Sequence, residues 1–130
     1  MTVFVDTSAL FALLDEDDTH HADAADAFQR LVGTELVTHT FVVVEAATLV
    51  GQRLPWAATK QLVYGLLPVI DVKSVESGLY ETAFESYGHS TSADISLVDR
   101  TSFAMMKAMG ISRAFTYDRD FAREGFELVA

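Results

Sequence analysis

Two carboxylates lie within apolar segments of this 130-residue chain, where an unpaired charge is costly. Glu45 follows three valines inside the apolar run 41–50, and the nearest lysine or arginine along the chain is Arg53. Asp99 falls on one helical stripe with three apolar residues, Ile95, Phe103 and Met106. Buried carboxylates require a paired cation or a metal ion to offset the loss of hydration. We therefore expect a divalent metal to supply the positive charge that these segments lack.

Two more acids follow apolar segments that are predicted to be strands, Asp6 after the first strand and Asp118 after the fourth. The carboxyl ends of parallel strands meet at one edge of a sheet, where α/β proteins bind their ligands. We expect helices to bring Glu45 and Asp99 to the same edge. Mg²⁺ and Mn²⁺ prefer oxygen ligands, and one or two such ions would activate water for attack on a phosphoryl group.

Each of these four acids also has an ordinary structural interpretation. Asp6 has the side chain and position of a helix N-cap, and Asp118 has those of a turn residue. Glu45 would be exposed if the flanking valines formed a strand instead of a helix. Asp99 would be neutralised by pairing with a nearby arginine, either Arg53 or Arg100. The joint placement of the four acids favours a metal site over these separate explanations.

Several polar neighbours are secondary candidates for the same site. Thr7 and Ser8 are predicted to cap a helix, with the alternative that either hydroxyl holds a water bound to the metal. Asp94 is expected mainly to cap the helix that follows it, and a role in the site is the lesser alternative. Asp120 fits a turn and lies outside the four principal acids.

The elements that must position these residues alternate between strand and helix along the chain. Apolar segments predict five short strands, at residues 2–5, 35–38, 68–72, 113–117 and 126–129. Periodic apolar positions predict helices between them, at residues 9–14, 22–32, 40–52, 56–67, 74–87 and 95–109. This alternation indicates a single α/β domain over residues 1–130, with a mainly parallel central sheet of about five short strands flanked by helices.

The composition sets limits on location and partners. The formal net charge of −10 argues against loose electrostatic binding to nucleic acid, although metal-binding carboxylates contribute to that charge. A solvated acidic surface is the alternative explanation of the charge. The chain has no cysteine and its four histidines match no zinc-binding spacing, so His20 and His21 are predicted to be solvated. Since it has neither a signal-peptide pattern nor a membrane-length apolar segment, a cytoplasmic location is expected.

Four segments taken together resemble the PIN domain, and more narrowly the VapC-type toxins of toxin–antitoxin pairs. They are residues 3–10, the isolated Glu45, residues 96–99 and residues 116–121. The resemblance covers the whole chain and implies a Rossmann-like sheet, a homodimer and inhibition by a cognate antitoxin protein. It implies an endoribonuclease that hydrolyses RNA phosphodiester bonds with water activated by one or two Mg²⁺ or Mn²⁺ ions.

The resemblance also implies roles for individual residues. The residues that match the acidic quartet of the family, implied to be catalytic and metal-binding, are Asp6, Glu45, Asp99 and Asp118. Asp6 and Asp99 would be the firmest metal ligands, and Glu45 would complete the site directly or through water. Asp118 would bind a second metal or orient water. Thr116 matches a small hydroxyl residue that is often found near the last acid.

Contact with RNA and with protein partners depends on two other groups of residues. Arg100 and Arg119 neighbour the acids and are the preferred phosphate contacts, ahead of the other candidates, Arg53, Arg113 and Arg123. Ordinary surface pairing is the alternative for these arginines. The apolar residues of helices 9–14 and 56–67 would form an antitoxin groove, a dimer interface or plain core, and the second helix contributes Trp56, Leu62, Val63 and Leu66.

Two other classes of function are compatible with the sequence. A catalytically idle PIN-fold binding protein would use the fold as a platform and need not bind a metal. A different metal-dependent phosphoryl-transfer hydrolase, such as a small phosphatase, often carries a second aspartate two residues after its nucleophile, and here that position is Ser8. The identity of the RNA target, the number of metals and the identity of the antitoxin are left open by the sequence.

Overall fold

Strands and helices alternate along the chain as the sequence predicted, and the computed structural model describes all 130 residues. The strands are β1 (Thr2–Val5), β2 (Glu35–His39), β3 (Asp71–Lys73), β4 (Arg113–Phe115) and β5 (Glu127–Leu128). The α-helices are α1 (Thr7–Leu14), α2 (His21–Arg30), α3 (Thr40–Arg53), α4 (Trp56–Gln61), α5 (Ser77–Gly88), α6 (Leu97–Met109) and α7 (Asp120–Arg123). None of these helices combines the length and the apolar character that crossing a bilayer requires. The predicted α/β architecture is confirmed.

The five strands of the sheet are all parallel and lie in the order β3-β2-β1-β4-β5. The chain builds the sheet outward from β1 on one side and then returns to its other side with β4. Val3 pairs with Leu36 of β2, and Val5 pairs with Phe115 of β4. A reversal of this kind opens a crevice outside the carboxyl ends of the two central strands. The ends of β1 and β4 are therefore where the fold predicts a ligand.

The central strand has an uninterrupted apolar sequence because both of its faces are covered. Val3, Phe4 and Val5 are consecutive and all buried. The ring centroid of Phe4 lies 6.3 Å from that of Phe121 in α7, which in turn lies 4.8 Å from that of Phe103 in α6. These aromatic contacts fix α6 and α7 against the sheet, and with them the acids that both helices carry.

A buried histidine joins the two longest helices, α3 and α6. His39 ends β2, and its Nδ1 accepts a hydrogen bond from the Val42 N–H at 3.3 Å, which makes His39 the N-cap of α3. The ring proton therefore lies on Nε2, which donates to Ser102 Oγ of α6 at 2.9 Å. Burial lowers the pKa of His39 to about 4, so the ring is neutral at physiological pH. The sequence placed this cap near Thr40, one residue later.

The segment 56–67 is not the single helix that the sequence predicted. Helix α4 ends at Gln61, and the chain continues as a π-helical turn (Leu62–Leu66) and a 3-10 turn (Leu67–Val69). Pro68 lies in the second turn, has no N–H to donate and prevents both a longer helix and an early start of the third strand. The strand β3 is consequently shorter and later than predicted.

Two features next to the acids also differ from the prediction. The prediction that Asp94 caps α6 is wrong, because Ser96 Oγ accepts from the Asp99 N–H at 3.0 Å and Asp94 is exposed. A serine three residues before that amide has the reach of an N-cap, which Asp94 lacks at five residues. The short helix α7 was not predicted, since its residues were interpreted as a turn.

Gly110 follows α6 with a φ of +68°, a left-handed conformation that other residues rarely adopt. We expect Gly110→Ala to lower the free energy of unfolding by about 1 kcal/mol because alanine is strained at this φ. Gly51→Ala is the matched control, since Gly51 lies within α3 with open space around it and alanine favours a helix by up to about 1 kcal/mol. Urea denaturation measures both changes, and a gain in stability for Gly110→Ala would contradict the prediction.

Candidate active site

The crevice at the ends of β1 and β4 is an open cavity of about 340 Å³. Its lining includes all four acids that the sequence predicted to converge, Asp6, Glu45, Asp99 and Asp118. Asp18 adds a fifth carboxylate, and Arg53 is the only lysine or arginine in the lining. The four predicted acids follow β1, lie on α3 and α6, and follow β4. The fold therefore brings together carboxylates that are far apart along the chain.

Asp6 is both a helix cap and a member of this acid cluster. Its Oδ2 accepts hydrogen bonds from the Ser8 N–H (3.4 Å), the Ser8 hydroxyl (2.8 Å) and the Thr116 hydroxyl (2.8 Å). Its Oδ1 is buried and has no hydrogen-bond partner. Burial raises the pKa of Asp6, and the hydrogen bonds to Oδ2 partly oppose that rise. One carboxylate oxygen is thus fixed by hydrogen bonds, and the other has no hydrogen-bond partner.

Two hydroxyls connect Asp6 to the segment that follows β4. Ser8 Oγ and Thr116 Oγ1 each donate their one proton to Asp6, which leaves their lone pairs free to accept. Ser8 Oγ accepts from the Tyr117 N–H at 3.0 Å, and Thr116 Oγ1 accepts from the Asp118 N–H at 3.0 Å. Both hydroxyls therefore orient Asp6, and they fix its position relative to Asp118.

Asp99 lies in the first turn of α6 and is half-buried. Burial raises the pKa of Asp99 to about 8, with further contributions from the charges of Asp6 and Asp118, a hydrogen bond with Asp118 and the charge of Glu45. Because the neighbouring acids and burial disfavour ionisation of Asp99, a cation bound beside it would favour its charged form.

Glu45 lines the cavity from α3 and is partly buried. The helix forms despite its valines because residues at four-residue spacing are buried on one side, Val42, Ala46 and Val50. The alternative that the valines form a strand and expose Glu45 is wrong. Leu49 and Arg53 continue from Glu45 at the same spacing and also line the cavity. This spacing is the sequence signal that would have assigned Arg53 to the site.

Asp118 and Asp120 lie close to Asp99. Asp118 Oδ1 accepts from the Asp120 N–H at 2.9 Å, so Asp118 forms a turn as well as lining the cavity. Carboxylate oxygens of Asp99, Asp118 and Asp120 all lie within 4.8 Å of one another. Asp120 also forms an ion pair with Arg123 on α7. Asp120 is therefore nearer to the principal acids than the sequence indicated.

Of four other residues that the sequence predicted for the site, one lines the acidic cavity and three lie outside it. Thr7 lines the cavity, and its buried hydroxyl has no hydrogen-bond partner. The Arg100 guanidinium donates to Ser86 Oγ of α5 at 2.9 Å and lines a separate cavity between α5 and α6. Arg119 is exposed at the start of α7, and Asp94 is exposed in the loop before α6. Neither Arg119 nor Asp94 lines the cavity of the acid cluster.

Two aromatic side chains that the sequence did not assign to the site line the same cavity. The ring of His20 stacks on that of Tyr117, with centroids 4.2 Å apart and planes 13° from parallel. Tyr117 directly precedes Asp118, and that adjacency is the signal that would have found it. His20 is exposed as predicted, although Tyr117 covers one of its faces. His21 is not a solvated loop residue, since its Nδ1 lies 2.8 Å from the Ala12 carbonyl oxygen.

The residues of the cluster fit a hard divalent cation. The unpartnered Oδ1 of Asp6 is an oxygen ligand without a proton donor, and three further carboxylates gather within a few ångströms of each other. Mg²⁺ and Mn²⁺ take such ligands and keep several waters, for which an open cavity has room. The residues available to hold the ion are Asp6, Asp99 and Asp118, with Glu45 and Asp120 beside them.

Asp99→Asn is expected to stabilise the metal-free protein at high pH. Because the pKa of Asp99 is raised on folding from 3.8 to about 8, the folded state binds its proton more tightly, and stability falls as pH rises through this range. The asparagine variant lacks that loss. Its Tm in EDTA should therefore exceed that of the unmodified protein by a few degrees at pH 8, with a much smaller difference at pH 5.

Glu81→Gln provides the control for this measurement, because Glu81 is an exposed acid on α5 and its removal changes the net charge equally. Thermal denaturation of the three proteins between pH 5 and pH 8 separates a local from a general charge effect. A pH-independent difference in Tm for Asp99→Asn, or an equal gain for Glu81→Gln, would contradict the assignment.

Relatives of known sequence cover nearly the whole chain. The family model described as "PIN domain" matches residues 3–127. The chain is 34% identical over 128 residues to the "23S rRNA-specific endonuclease VapC20" of Mycobacterium tuberculosis, and the match covers 95% of both chains.

Solved structures agree with the sequence match. The crystal structure of VapC20 from Mycobacterium tuberculosis, a "Sarcin-Ricin loop cleaving toxin", has a TM-score of 0.82 and 33% identity, with 95% of each chain covered. FitAcB from Neisseria gonorrhoeae has a TM-score of 0.71 over 100% of this chain and 97% of its own, but its 16% identity supports the fold alone. With the acid cluster at the reversal point of a five-stranded parallel sheet, these matches establish that the chain belongs to the PIN domain family.

Proposed function

We propose that this protein is a metal-dependent endoribonuclease, the toxin of a toxin–antitoxin pair, that hydrolyses RNA phosphodiester bonds. The observation that carries the proposal is the buried, unpartnered Oδ1 of Asp6 within a cluster of carboxylates. A buried charge of this kind is stable when a cation binds it. PIN domains are nucleases that act on RNA, and the relative VapC20 is named an endonuclease.

The four principal acids have distinct roles in this proposal. Asp6 and Asp99 bind Mg²⁺ or Mn²⁺, and Glu45 completes the site directly or through a water. Asp118 binds a second ion or orients the attacking water. When bound, the metal supplies the positive charge that lowers the pKa of a water and stabilises the charge that develops on the phosphoryl oxygens.

The hydroxyls beside Asp6 serve the same reaction indirectly. Ser8 and Thr116 both donate to Oδ2 of Asp6, so they hold its carboxylate in one orientation and leave Oδ1 for the ion. Asp120 lies close enough to Asp99 and Asp118 to hold a second ion or its waters. The cluster thus has carboxylates for one or two ions.

The proposed substrate is 23S ribosomal RNA at the sarcin–ricin loop. This assignment rests on VapC20, which carries that specificity in its name and description and matches 95% of this chain. The cavity at the carboxyl edge of the sheet contains Asp6, Glu45, Asp99 and Asp118. Metal ions held by these carboxylates would provide the chemistry that such cleavage needs. A cytoplasmic location follows from a ribosomal target and is part of the proposal.

The other two functions fit the site less well. An idle binding platform has no use for three acids that, together with burial, raise the pKa of Asp99, because that arrangement costs stability when no metal is bound. An aspartyl phosphatase often carries a second aspartate two residues after its nucleophile, but Ser8 lies there and donates its proton to Asp6. The idle platform also leaves the unpartnered oxygen of Asp6 without an explanation.

Cleavage of RNA tests the proposal directly. We expect purified protein to cut 23S rRNA into discrete fragments with Mg²⁺ or Mn²⁺ and not with EDTA. Asp6→Asn and Asp99→Asn should each lower the rate by at least about 100-fold, because several kcal/mol of transition-state stabilisation depend on the metal they hold. Gel analysis of ribosomal RNA after incubation, with p-nitrophenyl phosphate hydrolysis in parallel, measures both reactions.

Glu81→Gln is again the matched control, since it removes one exposed carboxylate outside the cavity and should cut RNA at the unchanged rate. If RNA is not cut, titration of Mn²⁺ by calorimetry distinguishes between the two alternative functions. Folded protein that binds Mn²⁺ but cuts only the phosphomonoester would replace the proposal with the phosphatase. Protein that binds no Mn²⁺ would leave the idle platform as the better description.

The proposed protein partners are a cognate antitoxin and a second copy of this chain in a homodimer. Leu62 and Leu66 are buried and belong to the core, whereas Trp56 is 68% exposed and stays a candidate contact for a partner. A second exposed apolar face lies on α5, where aromatic residues recur along one side, Tyr80, Phe84 and Tyr87. Contiguous exposed apolar patches commonly mark protein interfaces.

Arg53 is the arginine that the cavity makes available to RNA. It lines the acidic cavity, forms no ion pair, and lies with its guanidinium carbon 6.0 Å from the centre of the Phe11 ring. The preference for Arg100 and Arg119 stays a prediction, although the guanidinium of Arg100 donates to serines beside α5. A phosphate contact from Arg53 would compensate part of the negative charge around the substrate.

Arg53→Ala should weaken RNA affinity by roughly tenfold and reduce the dependence of affinity on salt, because one phosphate contact is lost. Lys107→Ala changes the net charge equally at the far end of α6 and should have little effect on either quantity. Fluorescence anisotropy with labelled RNA at several salt concentrations measures both variants. Equal losses for the two variants would mean that only overall charge matters.

A further inference from the structure

The stacked pair of His20 and Tyr117 is an aromatic surface at the edge of the acidic cavity. The two rings are 4.2 Å apart between centroids and nearly parallel, and both residues line the cavity. Tyr117 covers one face of the imidazole, yet His20 is still exposed. The accessible surface of His20 therefore lies on the sides of the ring that Tyr117 does not cover.

Hydrogen bonds hold this pair in a fixed position. The Tyr117 N–H donates to Ser8 Oγ at 3.0 Å, and its hydroxyl donates to Asp23 Oδ2 of α2 at 2.7 Å. The backbone N–H of His20 donates to Asp18 Oδ1 at 2.8 Å, which fixes the main chain that carries the imidazole. Since Ser8 also donates to the carboxylate of Asp6, one network orients both the aromatic pair and the acid cluster. The surface is thus prepared before any ligand arrives.

The charge of the protein indicates which part of an RNA such a surface would bind. The formal net charge is −10, and Arg53 is the only lysine or arginine that lines the cavity. Attraction for the phosphate backbone is therefore small, and a protein of this charge needs another source of affinity. Nucleobases are neutral, and every base has a flat face that stacks on an aromatic ring. Unpaired bases in RNA loops are accessible for such stacking.

We infer that the face of His20 opposite Tyr117 stacks on one unpaired nucleobase next to the phosphate that is cut. The inference rests on the proposed function, because it assigns a base-binding position to the same cavity. Stacking on His20 fixes one nucleotide relative to the acids that follow β1 and β4. His20 is accordingly a residue that selects and positions the substrate, since an RNA without an unpaired base at that position would lose the contact.

Binding measurements test the inference without requiring cleavage. Fluorescence anisotropy follows a labelled sarcin–ricin stem-loop RNA binding, with Mg²⁺ present, to protein that carries Asp99→Asn. Adding His20→Ala should weaken binding about tenfold, and adding His20→Phe should restore it to within about threefold, since phenylalanine keeps a flat ring. His89→Ala, which changes an exposed histidine at the end of α5, is the control and should have no effect.

A set of stem-loops, each with one loop nucleotide made abasic, locates the stacked base. One abasic stem-loop should bind equally well to the proteins with and without His20→Ala, because it lacks the base that stacks on the imidazole ring. If His20→Ala weakens binding tenfold on every abasic RNA, His20 only supports the fold and the inference is wrong. The inference is also wrong if His20→Ala does not weaken binding of the intact stem-loop, or if the stem-loop does not bind at all.

Cleavage by the unmodified protein separates this result from the proposed function. If the base-dependent effect of His20 is found but no RNA is cut, the proposed activity fails and the base-binding position stands. If RNA is cut but His20→Ala binds and cuts as well as the unmodified protein, the base-binding position alone fails.

Discussion

Mutual repulsion among the carboxylates at the ends of β1 and β4 is the constraint on which the other features of this structure depend. Burial and neighbouring charge raise the pKa of Asp99 to about 8, and burial raises that of Asp6. Such an arrangement persists in a folded protein only if the rest of the structure holds the acids in place. The hydroxyls of Ser8 and Thr116 do so locally, and the buried sheet and helices do so globally.

The core connects the elements that carry the acids. Phe4, Phe103 and Phe121 bring β1, α6 and α7 together, and each of these elements contains or adjoins an acid of the cluster. His39 adds a polar connection inside the protein, since it caps α3 and donates to Ser102 of α6. The distance between the acids of α3 and α6 therefore depends on a neutral buried ring as well as on apolar packing.

The sequence predicted the strands and helices that depend on local residue patterns. It predicted fewer of the features that depend on contacts between distant segments. The strand before Asp6 was found because both faces of β1 are buried and its sequence is continuously apolar. The π-helical turn was not, because nothing local to residues 62–66 distinguishes it from the preceding helix. Likewise Asp120 came close to Asp99 only through the docking of α7, and His20 reached the cavity only through its contact with Tyr117.

The strand order also determines when the cluster can exist during synthesis. Asp6 and Glu45 leave the ribosome early, but β4 is needed to bring the segment with Asp118 beside β1, and it is the fourth strand to be made. Contacts between segments this far apart form late in folding. A nascent or truncated chain that lacks residues 113–120 has no complete acid cluster. A protein of this topology consequently completes its acid cluster only after the segment that follows β4 has been translated.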